Sequence, residues 1–161
     1  NYRIVIRGFK MEKKTSSREV VVIADKMNLS QTQVRTIIQN YTSYIRAVVD
    51  DGKSVRFLRI CSFVVDGYEG FQETLAHTSY LLAKGMLISP EVVMGVLLQY
   101  EEQILMTLRE GSCHMVSGVC KIAVSEDGKV IVRKSPKMGM FVNCRTYLRS
   151  SFVRKIEKNK E

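Results

Sequence analysis

The chain is poor in the residues that metal and catalytic sites are built from. Its 161 residues hold two histidines, His77 and His114, and four cysteines, Cys61, Cys113, Cys120 and Cys144. No two cysteines form a CxxC pair, so no familiar metal-ligand spacing is present. Cys113 and His114 are adjacent, and neighbours on a strand point to opposite faces. The thiols are therefore expected to be buried and to act as small hydrophobes; reduced thiols fit an intracellular setting. The sequence also lacks a Gly-rich phosphate loop, an HExxH helix and a nucleophile elbow. Glu101-Glu102 is the one adjacent carboxylate pair on an amphipathic stretch. Consecutive helix positions diverge by about 100°, so the pair is read as the wet side of its helix rather than as an acid–base couple. These absences argue against an enzyme, and they imply no cofactor and no small-molecule substrate. No apolar run approaches the roughly 20 residues of a membrane span. The opening "NYRIVIRGFK" reads as a short strand, Tyr2 to Arg7 ending at Gly8, rather than as a secretory leader.

What is present is apolar content and charge. Hydrophobic residues make up 45% of the chain, enough for a core in one domain. The formal net charge is +9, and it is unevenly placed. Residues 1–65 hold 12 Lys+Arg against 5 Asp+Glu, residues 66–125 hold 3 against 7, and residues 126–161 hold 10 against 4. A polyanion site would thus be built from the two ends and not from the middle.

Apolar periodicity and caps organise the chain. Thr15, Ser16 and Ser17 offer N-caps for a helix reaching about Met27, although Val20-Val21-Val22 favours strand. Ser30 caps a second helix, with Gln33 completing a capping box. Val34, Ile37, Ile38, Tyr41, Ile45, Val48 and Val49 form its buried face. The helix stops at "DDG", where Gly52 is free to take a left-handed cap. "SVRFLRICSFVV" (54–65) follows as a strand. The same order then returns. "FQETLAHTSYLLAKGM" (71–86) reads as a helix, and Ser89-Pro90-Glu91 restarts it. Val93, Val96, Leu97, Tyr100, Ile104 and Leu108 face inward, with Met86, Met94 and Met106 as core filler. "EG" at 110–111 is the stop and "HMVSGVCKIAV" (114–124) the strand.

Residues 23–65 lie on 82–124 without a gap, at an offset of 59. Ala24/Ala83, Ser30/Ser89, Val34/Val93, Tyr41/Tyr100, Ile45/Ile104, Gly52/Gly111 and Cys61/Cys120 match at the caps, the buried face, the stop and the strand. The pattern is an internal duplication of a helix–helix–strand unit, in which each copy completes the other's core. In the tail, Lys129 to Arg133 and Met138 to Val142 read as strands. Asn143 is then placed to cap a terminal helix, "RTYLRSSFVRKIEK".

The hinge "IADKMNLSQTQV" and the stop-then-strand "DDGKSVRFLRICSFVV" resemble the HU/IHF family of bacterial and phage architectural DNA-binding proteins. The resemblance covers 23–65 and, more faintly, 82–124. It implies an α+β fold: two helix–helix–strand units, each with a small antiparallel sheet, forming a single-chain pseudo-dimer. Residues 1–65 are the N-terminal strand plus the first half. Residues 66–161 are the second half with a terminal hairpin and helix. In this family a basic, Pro-tipped arm wedges the minor groove of DNA. "RKSPK" (133–137) looks like such a tip, but the favoured reading is that "SEDGK" is an ordinary hairpin turn with Pro136 ending a strand. The first copy has no room for an arm, because only 16 residues separate Val65 from Leu82. The N-terminal strand is expected to cover the exposed sheet edge instead. The family's Gly-Phe-Gly is replaced by Arg59-Ile60-Cys61 and Gly118-Val119-Cys120.

The implied activity is sequence-nonspecific binding of double-stranded DNA, dominated by phosphate contacts. Its candidate residues are Arg56 and Arg59 on the first strand, and Lys129, Arg133, Lys134 and Lys137 around the last hairpin. Pro136 would be the wedge, and Arg145 and Arg149 lie on the terminal helix. The other reading is a protein–protein module, a structural subunit of a large oligomeric assembly such as a phage virion. The settings expected from these readings are a bacterial nucleoid or a virion.

Overall fold

The computed structural model describes residues 17–68, 70 and 72–148. The candidate strand at 2–7, the tail beyond Leu148 and Arg149 lie outside the described residues. Among the described residues the architecture is mixed α+β, with four helices and two three-stranded antiparallel sheets.

Helix α1 (Arg18–Met27) starts at Ser17, whose hydroxyl accepts the Val20 amide, and ends on Asn28 in the left-handed region. Packing decides for helix over the strand preference of the valine run, because Val20, Ile23 and Ala24 are buried. Helix α2 (Gln31–Asp50) opens on the capping box read from the sequence. The Ser30 hydroxyl accepts the Gln33 amide at 3.0 Å, and the Gln33 side chain accepts the Ser30 amide at 2.9 Å. Gly52 follows at φ +82. The stretch read as one strand is a hairpin, β1 (Val55–Phe57) and β2 (Cys61–Val65). Helices α3 (Leu75–Met86) and α4 (Pro90–Arg109) follow, with Thr74 and Ser89 as N-caps. Helix α3 begins four residues later than periodicity suggested, where the Thr74 hydroxyl takes the His77 amide. The second strand stretch is likewise a hairpin, β3 (His114–Val116) and β4 (Cys120–Val124), followed by β5 (Val130–Lys134). A 3-10 turn, Pro136–Met138, leads to β6 (Val142–Thr146).

Spacing 59 holds throughout the two units. Helix α2 maps onto α4, and the ladder Val55↔Phe63, Arg56↔Ser62, Phe57↔Cys61 maps onto His114↔Ile122, Met115↔Lys121, Val116↔Cys120. The third strands break the order. Strand β5 completes its own unit's sheet, β3-β4-β5, whereas β6 crosses back to complete the first, β1-β2-β6. This corrects the expected start of the terminal helix: Asn143 and Arg145 lie within β6, held by pairing along Cys61–Val65. It also explains how the first unit manages with a short link to the second. Its third strand comes from the far end of the described chain.

One core serves both units. Ile23, Val34, Ile37, Tyr41 and Ile45 pack in the same cluster as Val93, Leu97, Ile104, Leu108 and Ile122. Helix α1 packs on α2 and α4, and α2 packs on α4. Met86 packs against this core while Met106 is partly exposed. Among the described residues no single helix is long and apolar enough to cross a membrane.

Candidate functional site

Each sheet turns one face to the helices and one away. On β1, β2 and β6 the outward positions include Arg56, Ser62 and Arg145, which form one row across the sheet. On the other sheet the matching row is Met115, Lys121 and Arg133. The six strands carry Arg56, Lys121, Arg133, Lys134 and Arg145 and no Asp or Glu. Acidic side chains sit on the helices and in the turns, so the sheets form a basic surface within a chain of mixed charge.

The candidates divide on inspection. Arg56, Arg133 and Arg145 are exposed on strands, as expected for a phosphate-facing set, although Arg145 reaches its place on β6 and not on a helix. Lys129 is exposed at the β4–β5 turn, where the Ser125 hydroxyl accepts its amide. That turn, Ser125–Lys129, is an ordinary tight connection; Ser125 and Lys129 also share a backbone hydrogen bond of 2.8 Å. Lys134 reaches the Gly139 carbonyl at 2.5 Å and ties β5 to the crossover. Pro136 and Lys137 are exposed, but Pro136 opens the 3-10 turn, capped by Ser135 and anchored through buried Met138. The "RKSPK" stretch is thus a crossover seated on the core, not the tip of a two-stranded arm.

Arg59 has a different occupation. It lies in the β1–β2 turn, and its backbone amide donates to Glu101 Oε2 at 2.7 Å. Its Nε donates to Glu101 Oε1 at 2.8 Å, and its Nη2 bonds the same oxygen. This pairing pushes the guanidinium above its ordinary range, first through the side-chain hydrogen bonds and then through the charge of Glu101. Glu101 itself is 4% exposed. The expectation that it sits on the wet side of α4 is therefore wrong. The carboxylate is buried because the β1–β2 turn needs an acceptor there. It joins the helix of one unit to the turn of the other.

Other titratable groups lie in the interior. Tyr100 Oη and His114 Nε2 lie 3.0 Å apart in the interior. Burial pushes the His114 pKa down and the Tyr100 hydroxyl up. Cys61 and Cys120, one in each unit, are buried, and Cys144 is half-buried; Cys113 is exposed, against expectation. Burial raises Cys61 well above the usual thiol range, Cys120 to about 12, and Cys144 upward as well. These three thiols are held protonated by burial. Among the described residues no group of three or more His, Cys, Asp or Glu is placed to hold a metal ion.

Lys121 was missed in the sequence. It sits in the acidic middle third and in the strand "CKIAV", where an isolated lysine carries no signal. Only pairing places it directly opposite Arg133. Comparison with protein-family models, with curated proteins and with solved structures gave no match.

Proposed function

We propose that this chain is a non-enzymatic architectural protein of HU/IHF type. Two units of one chain stand where that family has two protomers, and the protein binds double-stranded DNA without regard to sequence. The carrying observation is the segregation of charge: basic side chains and no acidic ones on the six strands. Phosphate contacts from such a face position a duplex without reading its bases. The repeated α–α–β–β order, its constant offset and its shared core support the pseudo-dimer reading. The contact set departs from the arm-and-helix scheme. It draws on basic strand residues, with Lys129 and Lys137 at the neighbouring turns.

The test is a mobility-shift titration with two unrelated duplexes of equal length. Near-equal affinities are expected. No shift with either duplex, or strong preference for one, would overturn the reading.

A second reading has its own observation. Tyr68, Met140 and Phe141 are exposed large apolar groups at one end of the β1-β2-β6 sheet, where the Asp66 amide donates to the Phe141 carbonyl at 2.9 Å. Such a patch suits a protein partner, and the same fold would then serve as a subunit of a large assembly such as a virion. A discrete high-order oligomer without nucleic acid, seen by light scattering, would favour it.

A further inference from the structure

The repeat allows a comparison within one molecule, because each outward position of one sheet has a counterpart 59 residues on in the other. Ser62 and Val64 on β2 are 0% and 1% exposed. Their counterparts on β4 are Lys121, which is exposed, and Ala123, which is half-buried. The sheets are the same by pairing, so the difference comes from what covers them.

Over the β1-β2-β6 sheet the chain covers itself. The Ser62 hydroxyl bonds Gln72 Oε1 at 2.8 Å and also bonds the Tyr147 hydroxyl. The Tyr147 amide donates to the Ile60 carbonyl at 2.8 Å, which turns the chain back over the sheet. The Arg56 guanidinium lies 5.3 Å from the centre of the Tyr147 ring. Arg56 and Ser62 of that row are therefore already engaged, by the ring and hydroxyl of Tyr147 and by the Gln72 side chain.

Over the β3-β4-β5 sheet nothing described does this. Lys121 stands directly opposite Arg133 on the open face, and neither has an ion-pair partner among the described residues. Like charges directly opposite across strands destabilise a sheet. The flanks are apolar, with Met115 64% exposed and Ile131 partly exposed. An anion placed between Lys121 and Arg133 relieves the repulsion. A backbone alternating phosphate and sugar would match both the charges and their apolar flanks.

We infer that the two sheets are not equivalent in use. The outer face of β3-β4-β5, centred on Lys121 and Arg133, takes the phosphate backbone of the duplex, and the face of β1-β2-β6 is closed by the chain's own Tyr147 and Gln72. This rests on the DNA-binding reading and narrows it to one half of a pseudo-symmetric pair. It also gives the repeat a division of labour: one sheet closed on itself, the other left open for a ligand.

The test compares two double variants of the full chain, Lys121→Ser with Arg133→Gln, and Arg56→Gln with Arg145→Gln. Circular dichroism melts confirm folding of each. Fluorescence anisotropy with a short labelled duplex is then read between about 50 and 200 mM salt. The first pair is expected to reduce the slope of log K against log salt by about 2, one unit for each phosphate no longer neutralised. The second pair should leave the slope within about half a unit of wild type. An equal or larger reduction from Arg56→Gln/Arg145→Gln would overturn the inference while leaving DNA binding intact. A wild-type chain that binds no duplex at any salt would overturn both. A wild-type chain that binds no duplex, but self-associates through Lys121 and Arg133, would assign the face to a second copy instead.

Discussion

At the residue scale, the most consequential side chains in the interior are those that bond between elements. The Tyr41 hydroxyl accepts the Leu58 amide at 2.7 Å, in the β1–β2 turn where Leu58 holds φ +50. That hydrogen bond explains why the turn was invisible in the sequence. A left-handed leucine is not a turn signal, and its support comes from a helix 17 residues away. The equivalent turn in the second unit has Gly118 at φ +76, where a glycine does mark the bend. His114 gives a pH prediction. Its folded pKa is lowered by burial, so the unfolded chain binds the proton more readily. The stability contributed by neutral His114 is complete above its unfolded pKa of about 6.5. It is lost as pH falls through the lower folded value. Thermal midpoints should therefore decline from pH 7 to pH 5, and His114→Gln should flatten that decline. An unchanged pH profile in the variant would contradict the assignment.

At the element scale, the caps of α2 and α4 were legible, while the start of α3 and the strand partners were not. The caps at Ser30 and Ser89, Pro90 and the glycine stops are local chemistry, readable over three or four residues. Strand β6 has no such local signature. Its "VNCRT" becomes a strand by pairing with β2, and Ser62 and Tyr147, which meet on that sheet, are 85 residues apart. The left-handed caps after α1 and α3 supply a test. Asn28 takes φ 56 and Leu87 takes φ 54, and Leu87 is 97% exposed. Leucine pays about 1–2 kcal/mol for that conformation and asparagine less. Leu87→Asn should raise stability by about 1 kcal/mol in urea unfolding; a destabilised variant would show that Leu87 makes an apolar contact. Glu101 is the element-scale tie between α4 and the β1–β2 turn. Removing it in Glu101→Leu strands the Arg59 amide and should cost about 1–3 kcal/mol. A loss under about 0.5 kcal/mol would mean that water replaces the carboxylate at the turn.

At the scale of the whole molecule, charge read along the sequence gives the surplus of each segment but not which side chains share a face. The basic ends and acidic middle located the surplus, but Lys121, from the middle, completes the face with Arg133, from the end. Arg59, from a basic end, is engaged with Glu101. Pairing moved one candidate in and gave another a structural partner, and neither shift could be read before β4 was laid against β5 and α4 against the β1–β2 turn. The duplication itself was legible because caps and apolar faces recur at a fixed interval. The crossing of β6 into the first sheet was not, since it exchanges a strand between otherwise repeated units.

A phosphate-contacting sheet surface is tested by the salt dependence of wild-type duplex binding. Anisotropy titrations between about 50 and 200 mM salt should give a straight line of log K against log salt with a slope of about −2 to −5. A slope between zero and about −1 would contradict it, because a face of these lysines and arginines cannot hold a duplex without releasing its counterions.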